Sequence, residues 1–301
     1  MHARKSLLGL GLLAVSTGLS AQTLNNSSLP KLEEIKPLEG VVGYRPGVDP
    51  LVHSWSLSVG YRDSQSSDKT RPTEVKEDGY SLGVGFKLGE SWFGRVGAEF
   101  AEQDVKSQPL AFPLDLRSKN DADNYNVVIG YSFNRVFSLA GFYGQGDGSG
   151  TYDFPGLATV AGSSNSDTDR YGLIASASLP VGGWLTTTSL SYLHSETDQV
   201  YPPGNLPPMD SFEADVYTLS TLGAYPLGNG FTALANLAFS HIGSQTVAQG
   251  STAPDENWFS GGLGLAYEVT PQATVRLMHQ RWLGNSTTAY RTTGLELVYR
   301  F

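Results

Sequence analysis

The chain has 301 residues, 40% of them apolar, a formal net charge of −9 and no cysteine. The acidic balance argues against nucleic acid as a partner, and the sequence contains no basic stripe that would bind one. Without cysteine, a fold exported from the cytoplasm has no disulfides, so we expect another means of closure, such as a closed barrel.

Residues 1–21 are predicted to form a secretory signal peptide. Arg4 and Lys5 provide a basic start, an apolar core runs from Leu7 to Val15, and we expect cleavage after Ala21. The apolar core is too short to span a membrane, and no later segment reaches the roughly 18 consecutive apolar residues of a membrane helix. The mature chain is therefore predicted to be periplasmic, secreted, or a barrel in the outer membrane.

Residues 22–52 have no hydrophobic period. Pro30, Pro37, Pro46 and Pro50 interrupt any long helix in this segment. We expect either a periplasmic extension or a plug that enters the barrel mouth, with a disordered lead-in as the alternative.

From residue 53 onward, apolar and polar residues alternate with a period of two. This pattern predicts strands with one apolar and one polar face. The apolar faces begin at Trp55, Tyr80, Trp92, Tyr125, Phe137, Tyr171, Trp184, Tyr217, Phe231, Phe259, Val275 and Leu295. The sequence therefore predicts an all-β fold of about twelve antiparallel strands, an even number as in bacterial single-chain barrels.

The connections between these strands alternate between short and long. The short ones centre on Glu90, Asn134, Gly182, Asn229 and Pro271, and the long ones on Thr70, Pro109, Gly156, Asn205 and Ser251. The loop around Gly156 is expected to run from about Gln145 to Thr168. Tight periplasmic turns and longer exterior loops are typical of transmembrane barrels, so both termini are predicted to lie in the periplasm. Aromatic residues also gather near both strand ends, which is typical of two interfacial belts.

The last strand places Leu295, Leu297, Tyr299 and Phe301 on one face. It resembles the closing strand of bacterial outer-membrane β-barrels, and an edge strand of a soluble sandwich is the alternative. The resemblance implies that Tyr299 and Phe301 act as an assembly signal for the barrel-assembly machinery. In size and strand number, residues 53–301 are similar to autotransporter translocator barrels and small twelve-stranded channels. This resemblance implies an outer-membrane location among lipids and lipopolysaccharide.

The predicted lumen face consists mostly of Gly, Ser and Thr. Its charged members are Lys87, Arg95, Glu99, Arg170, Glu268, Glu296 and Arg300. These charges could define a narrow polar path, or they could pair with one another and fill the lumen. We therefore expect passive passage or binding of small polar solutes. The alternative is a structural or surface-interaction barrel with a plugged lumen and functional loops.

A third, weaker alternative is an outer-membrane hydrolase. His194 and Ser195 are adjacent on a predicted strand and so point to opposite sides of the wall, which prevents them from acting as base and nucleophile. We therefore predict no catalytic residues, no cofactor and no metal site. The acidic loops could attract divalent cations, although solvated loops are the better explanation of their composition.

Overall fold

The computed structural model describes residues 53–68, 73–89, 91–107, 116–134, 136–153, 161–200, 212–243, 245–247, 251–253, 256–283 and 288–301. The predicted signal peptide (1–21) and the predicted N-terminal segment (22–52) lie outside these ranges. Within them, no helix combines the length and the apolar character needed to cross a membrane.

The described residues form long antiparallel strands and one short hairpin. The strands are β1 (His53–Asp68), β2 (Thr73–Leu88), β3 (Trp92–Ser107), β4 (Leu116–Ser132), β5 (Phe137–Asp153), β6 (Ala161–Val181), β7 (Trp184–Val200), β8 (Phe212–Gly228), β9 (Phe231–Ile242), β10 (Gln245–Val247), β11 (Ser251–Ala253), β12 (Glu256–Thr270), β13 (Ala273–Leu283) and β14 (Thr288–Arg300). Apart from β10 and β11, each strand is 11–21 residues long.

The long strands close into a ring. From β1 to β9 each strand pairs with the next, β9 pairs with β12, and β12, β13 and β14 continue the wall. The last strand then returns to the first, from Ser56 opposite Arg300 to Asp68 opposite Thr288. This closed barrel of twelve antiparallel strands leaves no open edge in the wall and confirms the predicted fold class.

Tight turns join the strands at one end of the barrel, which we call the turn end. Asn229 and Gly230 have φ angles of 53° and 80°, and Gly182 and Gly183 have φ angles of 57° and 83°. Two successive residues at positive φ form the turn that matches the twist of a β-hairpin, which explains Asn-Gly and Gly-Gly at these positions. The opposite end, which we call the loop end, carries the longer connections.

Several strands continue beyond their predicted limits at the loop end. The segment from Gln145 to Thr168 was expected to be a loop, but β5 extends to Asp153 and β6 begins at Ala161. That prediction was wrong because it relied on apolar alternation. Backbone pairing between β5 and β6 continues to Asp153 opposite Ala161, although the outward residues of this part, such as Asp147, are polar.

The apolar faces of the strands point outward around the ring. Leu263, Leu297 and Val59 are 72%, 46% and 49% exposed, so they do not form a common centre. Cross-strand aromatic pairs lie on the same surface, with Trp184 packed on Tyr225 at the turn end (ring centroids 5.3 Å apart). An outward apolar surface with aromatic residues near its margins is typical of a transmembrane barrel.

Candidate functional site: the barrel lumen

The inward face of the wall lines a lumen that contains many charged side chains. The predicted residues Lys87, Arg95, Glu99, Arg170, Glu268, Glu296 and Arg300 all occupy inward positions in the alternation and are at least partly buried. Three further charged residues lie on the same face, namely Arg62, Glu77 and Arg276. We call Arg62, Glu77, Glu99, Arg170, Arg95, Glu296 and Arg276 the charge girdle.

The first half of the charge girdle is centred on Arg62. Its Nη2 atom lies 2.5 Å from Oε1 of Glu99 and forms a second ion pair with Oε1 of Glu77. The three side chains are only 11%, 13% and 5% exposed. Gln103 donates to Glu77 Oε2 at 3.3 Å and accepts a hydrogen bond from Asn120, which extends the network to a fourth strand.

The second half is centred on Glu296. Its Oε2 atom accepts a hydrogen bond from Arg276 Nη1 at 3.2 Å, and its Oε1 atom lies 3.6 Å from Arg95 Nη2. The same Arg95 nitrogen donates to Ser58 Oγ at 2.8 Å. One carboxylate thus holds two guanidinium groups from strands on either side of it.

Arg170 interacts with charged residues on strands that are not its neighbours in the wall. It projects from β6, whereas its electrostatic partners Glu99 and Glu77 belong to β3 and β2. Since β6 is not adjacent to either strand in the wall, this interaction acts through the lumen rather than along the wall. The charge girdle therefore includes residues from several sides of the lumen.

Glycine makes room for these long side chains. A Cβ atom at Gly83 would come within 2.7 Å of Arg95 Nε and within 2.8 Å of Ser58 Oγ. At Gly79 it would lie 3.6 Å from Arg62 Nη2. These inward glycines thus accommodate guanidinium groups.

Sequence reasoning missed Arg62, Glu77 and Arg276 for different reasons. Glu77 lies in a segment that was expected to be a loop and is the fifth residue of β2. Arg62 comes directly after the last apolar residue of its predicted strand. Arg276, between Val275 and Leu277, could have been found with the same alternation rule.

The remainder of the lumen contains more large apolar residues than the predicted small, polar face. An apolar band of buried side chains includes Ala140, Phe142, Ile174, Leu193, Ala214, Val216, Ile242 and Trp258. Phe93, Val128 and Trp282 pack against it while partly buried. The prediction of a mostly small lumen face did not include this band, because both faces of the central strands carry apolar residues.

The apolar band climbs the lumen from one end to the other. Phe93 is the second residue of β3, at the turn end, and Trp258 is the third residue of β12, at the loop end. A single row of paired residues joins them through Ala140 and Ile174. Because strands in such barrels are tilted by roughly 35–45°, rows of paired residues rise around the wall. This row also contains Ser191, Thr218 and Ser240, so the apolar band lies along it without filling it.

The exterior of the loop end carries a separate polar cluster. Tyr192 donates a hydrogen bond to Asp215 at 2.8 Å, and His194 Nδ1 lies 2.9 Å from the same carboxylate oxygen. Partial burial raises the pKa of Asp215, but the hydrogen bonds from His194 and Tyr192 outweigh it and hold that pKa below its usual value. Ser195 is 3% exposed and faces the lumen, so His194 and Ser195 lie on opposite sides of the wall.

Acidic residues also face one another on the exterior of the loop end. Asp123, Asp147, Asp167 and Asp198 are directly opposite in register across β4, β5, β6 and β7. Like charges at opposed positions are unfavourable, which explains why this row lies in the water-exposed part of the wall. Within the described ranges, no group of three or more potential ligands has the geometry to hold a metal ion.

Solved structures of other proteins share this architecture. The translocator domain of the autotransporter NalP from Neisseria meningitidis superposes with a TM-score of 0.70 at 13% identity, over 85% of this chain and 91% of that one. The β domain of the Bordetella autotransporter BrkA gives 0.62 at 10% identity, over 83% and 100%. The COG4313 outer-membrane channel from Pseudomonas putida F1 gives 0.53 at 11% identity, over 86% and 100%.

Comparisons of the sequence with protein-family models and with curated proteins gave no match. At the identities above, likeness to solved structures shows the fold alone. The protein is an outer-membrane-type β-barrel. It is similar in architecture to autotransporter translocator barrels and to an outer-membrane channel, as the resemblance at the sequence level implied.

Proposed function

We propose that the barrel lies in the bacterial outer membrane and gives passive passage or binding to small polar solutes through its lumen. The observation that carries this proposal is the charge girdle, in which Arg62 and Glu296 form ion pairs on the lumen face and Arg170 interacts electrostatically with Glu99 and Glu77. Opposite charges around a constriction create a polar path that selects solutes by size and charge. The COG4313 protein is described as a channel, which is consistent with this use of the architecture.

The described lumen charges favour small anions. The basic residues are Arg62, Lys87, Arg95, Arg170, Arg276 and Arg300, and the acidic ones are Glu77, Glu99, Glu268 and Glu296. Basic side chains therefore outnumber acidic ones inside a protein whose net charge is −9. A basic excess at a constriction lowers the electrostatic barrier to anions and raises the barrier to cations.

Conductance in planar bilayers tests the proposal. A Cβ atom at the inward Gly294 would have only one neighbour within 4 Å, the carbonyl oxygen of Tyr61 at 3.9 Å. We expect Gly294→Trp to fill this space and to lower single-channel conductance several-fold, because the added ring enters the bore. The absence of single-channel currents in the unmodified protein would contradict the proposal.

Gly141→Trp is the matched control. Gly141 occupies an outward position on β5, and its Cβ atom would lie 3.9 Å from the carbonyl oxygen of Gly172. The same ring is then added on the lipid side of the wall. We expect conductance to remain unchanged, which separates an obstructed bore from a general disturbance of the barrel.

A structural barrel with a plugged lumen is the second candidate. The near-complete burial of lumen residues such as Ile242 and Val216, 0% and 1% exposed, favours a closely filled bore. Removal of residues 22–52, the predicted plug or periplasmic segment, discriminates between the two functions. A pore that is already open keeps its conductance after removal, whereas a plugged barrel gains conductance only then.

We further propose that both termini lie in the periplasm and that Tyr299 and Phe301 form the assembly signal. Phe301 is 66% exposed, and its ring centroid lies 5.8 Å from that of Tyr299, so both rings are accessible on the outer surface. Their accessibility supports recognition by the barrel-assembly machinery, with lipids and lipopolysaccharide as the later surroundings.

Loss of this signal should reduce assembly in cells. We expect Phe301→Ser to lower the amount of heat-modifiable, folded barrel in the outer membrane several-fold. The same variant should still fold in detergent, because Phe301 contributes no buried core contact. Leu227→Ser, at another exposed apolar position beside a tight turn, is the control. Equal losses from both variants would contradict a specific signal.

A further inference from the structure

The lumen contains two buried amide groups whose oxygen atoms have no hydrogen-bond partner among the described residues. Asn236 on β9 and Gln280 on β13 are 6% and 5% exposed, and neither Asn236 Oδ1 nor Gln280 Oε1 has a hydrogen-bond partner in the described part of the chain. Gly262 lies between them in register, opposite Asn236 on one side and Gln280 on the other. Two carbonyl oxygens thus face the lumen from the same row.

Buried acceptors without donors are unfavourable, and folded proteins satisfy nearly all of them. Gln280 uses its Nε2 atom to donate to Ser260 Oγ at 3.0 Å, which holds the side chain in place and leaves Oε1 unused. A position that is ordered and buried but lacks a donor is suited to a ligand that supplies one. The group required is a hydroxyl or an N–H.

Aromatic rings lie directly on the loop side of these amides. Trp258 and Trp282 stack with their ring centroids 5.1 Å apart and an interplanar angle of 12°, and Trp282 contacts Tyr290 at 5.1 Å. Trp282 is two residues from Gln280 on the same face of β13. Flat aromatic surfaces beside hydrogen-bond acceptors favour a planar apolar ligand with a polar edge.

On the turn side of the amides, a glycine leaves open space in the lumen, and a basic side chain lies beyond it. Met278 lies between Gly264 and Gly294 in register, and the space above Gly294 is open. Arg276 lies two residues before Met278 on the same face, nearer the turn end, and is hydrogen-bonded to Glu296 at 3.2 Å. A rise of about 3.3 Å per residue separates the Cα atoms of Gln280 and Arg276 by roughly 13 Å, which a six-membered ring and an arginine side chain together can span.

We propose that the lumen binds a small hydroxylated aromatic carboxylate in this place, which we call the amide alcove and define by Asn236, Gln280, Met278 and Gly294. The hydroxyl group donates to the carbonyl oxygens of Asn236 and Gln280. The ring lies over Met278 and Gly294, and the carboxylate points toward Arg276. This inference rests on the proposed passage or binding of solutes through the lumen and specifies the class of solute.

Binding to the purified full-length protein in detergent tests this inference, with 4-hydroxybenzoate as the probe and titration calorimetry as the measurement. Benzoate lacks the hydroxyl group, and 4-hydroxybenzyl alcohol lacks the charge. We expect 4-hydroxybenzoate to bind at least about tenfold more tightly than either analogue, because a site built for a hydrogen-bond donor discriminates against ligands without one. Equal affinities for the three compounds, or no saturable binding of 4-hydroxybenzoate, would overturn the inference.

The double variant Asn236→Leu/Gln280→Met removes both acceptors while keeping similar volumes. We expect its affinity for 4-hydroxybenzoate to fall to that of benzoate, with no change in benzoate affinity. The variant should remain about as resistant to urea as the unmodified protein, because the removal of two unsatisfied buried acceptors offsets the lost hydrogen bond from Gln280 to Ser260. Unchanged discrimination between the two compounds in this variant would rule out the alcove.

Asn124→Leu is the matched control, since Asn124 is an amide on the lumen face of β4 on another side of the wall. It should leave affinity for 4-hydroxybenzoate unchanged. Single-channel currents in potassium chloride distinguish failure of the amide alcove from failure of the proposed passage of solutes. Currents without selective binding would overturn the alcove and retain the passage of solutes, whereas the absence of both would overturn the proposed function as well.

Discussion

Replacing Arg62 with methionine is expected to lower the free energy of unfolding by about 3–5 kcal/mol, the usual effect of removing one partner from a buried ion pair. Arg62 is 11% exposed and pairs with both Glu77 and Glu99, which are themselves 5% and 13% exposed. Without the guanidinium group, two carboxylates face the same region of the lumen with no cation between them. This leaves the charges desolvated and mutually repulsive.

The same substitution should change the ion preference of the bore. Loss of a cation at the constriction leaves the carboxylates of Glu77 and Glu99 as the dominant local charges beside Arg170. We expect the reversal potential in a salt gradient to shift toward cation preference. Urea unfolding from lipid vesicles measures the loss of stability, and planar-bilayer recording measures the change of selectivity.

Two further variants make this prediction specific. Lys119→Met removes a cation from an exposed position on β4 and should change neither quantity, because exposed charges contribute little to stability. Arg62→Met/Glu77→Gln/Glu99→Gln removes the charges together and should recover most of the lost stability. If Arg62→Met proved as stable as the unmodified protein, the charge girdle would have no structural role.

The alternation of apolar residues and the residues of the tight turns were sufficient to predict the closed ring of strands. Each hairpin joins strands that are neighbours in sequence, so pairing β1 to β8 in order requires no information from distant residues. Asn229-Gly230 and Gly182-Gly183 mark two-residue turns, and the period of two then determines which face meets lipid. Closure by β14 was inferred from its terminal aromatic residues and is confirmed by its register with β1.

The content of the lumen could not be predicted in the same way. Phe93 and Trp258 belong to the same climbing row although they are far apart in sequence, and only the register of every intervening strand reveals this relation. Phe142 and Ile174 sit at inward positions of strands whose outward faces are also apolar, so alternation alone does not mark them as lumen residues. Interactions across the bore, such as that of Arg170 with Glu99, depend on side-chain reach and barrel shape.

Leu263→Lys is expected to make the free energy of folding into a bilayer less favourable by about 2–4 kcal/mol, the effect of a cation near the membrane midplane. Leu263 lies in the middle of β12 on the outward face and is 72% exposed, so its side chain projects away from the wall. The lysine must either carry its charge into hydrocarbon or extend toward an interface, and each is unfavourable at this depth.

The matched control places the same charge on the other side of the wall. Asn126→Lys introduces lysine at an inward position of β4, opposite the glycines at positions 97 and 144, where small neighbours leave room for it. Lumen substitutions alter selectivity more than stability, so this variant should fold nearly as well as the unmodified protein and should increase anion preference. Folding from urea into vesicles, followed by tryptophan fluorescence and heat-modifiable mobility, compares the two. Equal effects from both lysines would mean that the outward surface does not meet lipid, and the assignment of the two faces would have to be reversed or abandoned.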